Sequence, residues 1–199
     1  MPALDLGPAA AQVARLVDGV ADEQLGSPTL CAGTPVAGLL DHILGLTTAF
    51  TWAAQKATPD GGSGSPRASA DHLDPAWRTL VPAQLDALAE AWRDPSAVEG
   101  MAEAGGVSMP AEIMNLVALD ELVLHGWDLA QATGQPFGCD PASTAAVLEF
   151  TRGSAEPAAA AQRADLFGPV VDVGADATPF DRALGFAGRD PAWTPSSSR

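Results

Sequence analysis

Residues 109–133, MPAEIMNLVALDELVLHGWDLAQAT, constrain the fold of this chain more than any other stretch. Val, Leu, Ile, Met and Ala occupy most positions on every side of the helix they predict, the pattern of a helix buried nearly all round. Its polar groups are therefore what needs explaining. Glu121, His125 and Asp128 stand at i, i+4 and i+7, on one stripe shared with Met114, Ala118 and Ala132. No Lys or Arg occurs between Arg93 and Arg152, so no sequence neighbour compensates these carboxylates, and burying an unpaired one is costly. A divalent ion satisfies the stripe. So does an intrahelical Glu–His pair, or an Arg from a distant segment such as Arg78, Arg182 or Arg189, and the helix alone does not choose among them.

The ends of this helix are marked. Ser108 is expected to cap it, with Pro110 in the first turn and Glu112 favourable to the dipole, while Gly134 and then Pro136 terminate it. Upstream, Val13, Leu16, Val17 and Val20 predict an amphipathic first helix, and residues 22–30 read as a connection with at most one helical turn. Thr34-Pro35 has the chemistry of an N-cap and first helical position for a second helix over residues 35–57. His42 lies at the edge of its apolar stripe of Val36, Leu39, Leu40, Ile43, Thr47 and Phe50. A histidine so placed is more often a satisfied boundary residue than a ligand. Residues 59–69 predict a flexible Gly/Ser/Pro loop. A third helix is expected over residues 71–92, with Pro82 as a break or kink, and His72 as a solvated or capping residue at its start. Residues 96–108 read as a turn-like link holding at most a short helix. Asp140-Pro141 opens a fifth helix, an alanine-rich stretch follows, and Val170-Val171-Asp172-Val173 is a candidate strand or extended clip. Thr178-Pro179 starts a final helix that Gly188 ends, and residues 192–199 are expected to fray. The sum is an all-α chain, read as a single domain over residues 1–199.

A formal net charge of -15 argues against nucleic acid or an anionic membrane surface as partner. No leader pattern and no uncharged membrane-length stretch is evident, so a cytoplasmic protein, monomer or homodimer, is expected. Cys31 and Cys139 lack CxxC spacing and read as reduced core residues, and Trp127 and Met114 as core. No nucleophile elbow for Ser/His/Asp catalysis is present, and paired carboxylates for glycoside chemistry have only helical adjacency behind them. Packing the second helix on the central one would set His42 opposite Glu121 and His125, giving the two imidazoles and one carboxylate of an open, catalytic type of metal site.

Several blocks resemble a known family. They are Thr29-Leu-Cys31-Ala-Gly33-Thr-Pro-Val36, Leu39-Leu40-Asp41-His42, Glu121-Leu-Val-Leu-His125-Gly-Trp127-Asp128-Leu-Ala130, Thr133-Gly134-Gln135 and Gly188-Arg189-Asp190-Pro191. The chain is similar to the DinB-like metal-binding bundles, the family that includes mycothiol-dependent maleylpyruvate isomerase. That resemblance implies a four-helix bundle, here with a short extra helix and a small extended C-terminal segment. It implies His42, Glu121 and His125 as metal ligands, with zinc first and nickel or another divalent ion compatible. It further implies mycothiol, or a similar low-molecular-weight thiol, as co-substrate for isomerisation of, or transfer to, a small electrophile. A binding protein without turnover and a metal-dependent hydrolase are the alternatives for the same ligands. Asp128, one turn from His125, is placed to orient that imidazole. Two departures stand out: Thr34 where the family commonly has Trp, and Ala37-Gly38 where it often has Arg-Asp. The isomerase also has a longer C-terminal domain that helps complete its active site, and this chain is expected to be too short for a full copy.

Overall fold

The structure is a computed structural model describing residues 3–31, 33–57, 68–163 and 166–195. Of the loop expected over residues 59–69, only 68 and 69 fall among them, and residues 196–199 of the expected fraying tail lie outside. The described chain forms two compact units, residues up to Gly138 together with Pro195, and Cys139–Thr194.

The first unit is a DinB-like four-helix bundle of α1 (Gly7–Asp18), α2 (Val36–Ala54), α3 (Trp77–Ala91) and α4 (Ala111–Thr133). α1 and α2 each pack on both α3 and α4, so they hold opposite corners of the bundle. Its core is the apolar face of each helix: Val13, Leu16 and Val17; Leu39, Leu40 and Ile43; Val81, Leu85 and Leu88; and Met114, Ala118, Leu119 and Leu129. Burying each such leucine stabilises the bundle by about 2 kcal/mol. Trp127 joins this core. By length and composition alone α2 is apolar enough to cross a membrane, although it carries Asp41 and so is not an uncharged stretch, and 50% of that window is buried inside the protein. Its packing on two neighbouring helices is that of a core helix.

Several boundaries differ from the sequence reading. The second helix begins at Val36, with Pro35 rather than Thr34 as the flanking residue and no side-chain cap. Thr34 lies in the turn before the helix, where its carbonyl accepts from the backbone N–H and the hydroxyl of Thr29. The third helix starts at Trp77, after a 3-10 turn over Ala70–His72, and runs unbroken across Pro82. The link before α4 holds, besides a 3-10 turn, an antiparallel hairpin of β1 (Met101–Ala104) and β2 (Val107–Pro110), in which Ser108 pairs with Glu103 instead of capping α4. Gly105 and Gly106, both at positive φ, make its two-residue turn. The C-terminal end of α4 is as expected, with Gly134 left-handed at φ 69. Gln135 then donates to Leu16 O at 3.0 Å and Gln24 to Thr133 O at 3.0 Å, fastening the end of α4 to α1 and to the turn after it.

The second unit contains α5 (Pro141–Ser154), the short α6 (Ala160–Arg163) and α7 (Pro179–Phe186), with α5 packed on α7. Asp140 caps α5 by accepting from Ala142 and Ser143, and Thr178 caps α7 in a capping box with Asp181. Residues 170–173 form no strand; Val171 N–H donates to Gly185 O at 2.9 Å, which makes them a clip on α7.

Candidate metal centre

The stripe on α4 faces α2. Glu121 Oε2 lies 3.0 Å from His125 Nε2 and 3.9 Å from His42 Nε2, and the two imidazole rings meet edge to face with centroids 4.8 Å apart. Donor atoms of His42, Glu121 and His125 all lie within 4.8 Å of one another. Two ligands each roughly 2.0–2.2 Å from one ion are at most about 4.4 Å apart, so both measured separations fall inside what a single divalent ion can bridge. The helix periodicity sets Glu121 and His125 one turn apart on one face, and the packing of α2 on α4 brings His42 to them. Solvent reaches the cluster: the His42 and Glu121 side chains are 30% and 24% exposed.

Asp128 closes the other side. Its carboxylate is fully buried, and Oδ2 lies 3.0 Å from His125 Nδ1. Arg78, one of the distant cations considered for the stripe, instead pairs with Asp22 at 2.6 Å. The same Asp128 oxygen lies 3.5 Å from Cys31 Sγ. Sequence reasoning assigned Cys31 to packing, since no charge stands near it in the chain; Asp128 is 97 residues away. The signal available was the Thr29-x-Cys31 pattern, in which Thr29 Oγ1 accepts from Cys31 N–H at 3.1 Å and folds the loop over.

These contacts push the two imidazoles apart. Burial opposes a charge on His125, but its hydrogen bonds with Asp128, Cys31 and Glu121 prevail and hold its pKa well above the ordinary value of 6.5. For His42, burial and then the charge of His125 lower the pKa, against the pull of Glu121, Asp41 and Asp128. His42 is thus biased toward its neutral form and His125 toward its protonated form. Gly126, between His125 and Trp127, serves packing: a Cβ there would sit 3.0 Å from both Val13 and Phe137. His72 is exposed and takes no part.

Fold and cluster together define a DinB-like helical bundle carrying a histidine- and carboxylate-lined site. More particularly, the chain belongs to the family of the mycothiol maleylpyruvate isomerase N-terminal domain, whose model matches residues 6–130. Two curated relatives, "Uncharacterized protein Rv0738" and "Uncharacterized protein MT0763" of Mycobacterium tuberculosis strains H37Rv and CDC 1551, are each 29% identical over 139 residues. The match covers 64% of this chain and 65% of each relative, so the chain spans less than two thirds of their length. Among solved structures, the mycothiol-dependent maleylpyruvate isomerase is similar with a TM-score of 0.57 at 20% identity, over 73% of this chain and 66% of that one. A histidine-to-alanine mutant of that enzyme gives a TM-score of 0.55 at 22% identity with the same coverage. At such identity the likeness is one of fold.

Proposed function

We propose that the protein holds a divalent ion, zinc first, on His42, Glu121 and His125, and uses a low-molecular-weight thiol of the mycothiol type to isomerise, or to be transferred to, a small electrophile. The observation that carries this reading is the convergence of three donors from α2 and α4 in a member of a family named for a mycothiol-dependent isomerase. Three protein ligands leave coordination positions open, as catalytic rather than structural sites do. When bound, such an ion supplies Lewis acidity, which lowers the pKa of a thiol brought to it.

The chain's own residues prepare the site. Asp128 Oδ2 accepts from His125 Nδ1–H and so keeps the Nε2 lone pair turned toward Glu121 and His42. Burial keeps His42 neutral and its lone pair available. The exposed edges of His42 and Glu121 give a thiol its approach. Sulfur added to an activated double bond leaves a single bond that rotates; loss of the thiol then gives the isomer, and its retention gives the conjugate. The co-substrate stays reduced in the cytosol, which is where this reading puts the protein.

The test is thiol consumption by the metal-loaded full chain with a panel of activated alkenes. Metal-dependent consumption, lost in His42→Ala, is expected. A fully loaded protein that consumes no thiol with any electrophile would leave metal binding without turnover as the function.

A further inference from the structure

His125 offers donors on both of its faces. Its Nε2 side meets Glu121 and His42; on the Nδ1 side, Asp128 Oδ2 lies 3.0 Å from the ring nitrogen and 3.5 Å from Cys31 Sγ. Donor atoms of Cys31, His125 and Asp128 all lie within 4.8 Å of one another. We propose that these three residues form a second metal position, selective for soft divalent ions such as Cd2+, which competes with the first position for His125.

Separation, charge and positioning of the donors all favour such an ion. First, the separations suit an ion. At zinc bond lengths, with sulfur about 2.3 Å and oxygen about 2.0 Å from the ion, the pair 3.5 Å apart subtends roughly 109° and the nitrogen–oxygen pair 3.0 Å apart roughly 95°, both compatible with a distorted tetrahedron; the longer bonds of Cd2+ narrow both angles, so the donors spread slightly to hold it. Second, the donor set is anionic and soft: a thiolate and a fully buried carboxylate each bring a negative charge to a divalent ion, and the thiolate favours a soft one. Third, the sulfur is held in place: Thr29 Oγ1 accepts from Cys31 N–H at 3.1 Å and donates to Thr34 O at 2.7 Å, pinning the loop that presents it.

Coordination displaces the Cys31 thiol proton and the His125 Nδ1 proton to solvent, with no change of oxidation state. A neutral imidazole has one free lone pair, so His125 bound through Nδ1 carries its proton on Nε2 and is withdrawn from Glu121 and His42. A soft ion on the Cys31 side therefore excludes a harder ion from the other. The position uses neither His42 nor Glu121, so it stands or falls separately from the catalytic reading.

The experiment is a Cd2+ titration of the full chain, followed by the ultraviolet thiolate-to-cadmium charge-transfer band. The band is expected in the native protein, in His42→Ala and in Cys139→Ser. It is expected to vanish in Cys31→Ser and Cys31→Ala, and to need roughly tenfold or more Cd2+ in Asp128→Asn. No band in the native protein, or a band that survives both Cys31 variants, would overturn the proposal. Loss of the band in His42→Ala would also overturn it, since Cys31 would then be a further ligand of one shared site.

Discussion

Replacing Asp128 by Asn removes one charge and almost no volume at a fully buried position 3.0 Å from His125 Nδ1. A hydrogen bond to a charged acceptor contributes about 1.5–3 kcal/mol and one between neutral groups about 0.5–1.5 kcal/mol, so the substitution forfeits about 1–1.5 kcal/mol of support for the imidazole. That corresponds to roughly a tenfold loss of affinity at the His42/Glu121/His125 position, the lower end of the 10- to 100-fold range known for residues behind a metal ligand. Proton competition shapes the result. The carboxylate that strengthens His125 as a ligand also strengthens its hold on a proton, so the deficit of the variant should shrink at low pH and reach its full size at high pH. Competition with a chromophoric zinc chelator across roughly pH 6–9 measures this directly. Asp22→Asn, which breaks the exposed pair with Arg78, serves as control and should leave zinc affinity unchanged. Equal zinc affinity in native protein and Asp128→Asn at every pH would refute the idea that Asp128 holds His125 for the metal.

Further expectations concern stability and organisation. In the metal-free protein the raised pKa of His125 contributes stability that is fully present below the unfolded value near 6.5 and is lost as pH rises through the folded value; chemical denaturation should show a decline above pH 6.5 that Asp128→Asn flattens. Asp140→Ala, which deletes the acceptor for Ala142 and Ser143, should cost about 1 kcal/mol in the same assay without altering zinc affinity. A single domain over residues 1–199 should melt in one calorimetric transition, whereas two separate transitions would divide the chain near Gly138.

Where a signal was local and dense, the sequence was enough. The apolar composition of α4 and the glycine after it place a buried helix ending at Thr133, and the i, i+4, i+7 spacing puts Glu121, His125 and Asp128 on one face. His42 was the harder case. Its edge position fits a satisfied boundary histidine equally well, and only the packing of α2 on α4 brings it to Glu121. The hairpin was missed because Ala and Glu are poor strand formers, although Gly105-Gly106 offered the turn signal. Ser108 and Thr34 have the chemistry of caps, yet the local hairpin places Ser108 in a strand opposite Glu103 and the Thr29 turn holds the Thr34 carbonyl, so neither residue stands at the helix boundary itself. Cys31 was legible least of all, since it sits in a loop and its partner lies on a helix far along the chain.

The central claim is that His42, Glu121 and His125 act as one metal-binding unit, and metal content tests it most directly. Native protein and His125→Ala, loaded with zinc and dialysed against metal-free buffer side by side, should differ: the native chain retains one equivalent and the variant essentially none. Equal metal in the two proteins would contradict the account.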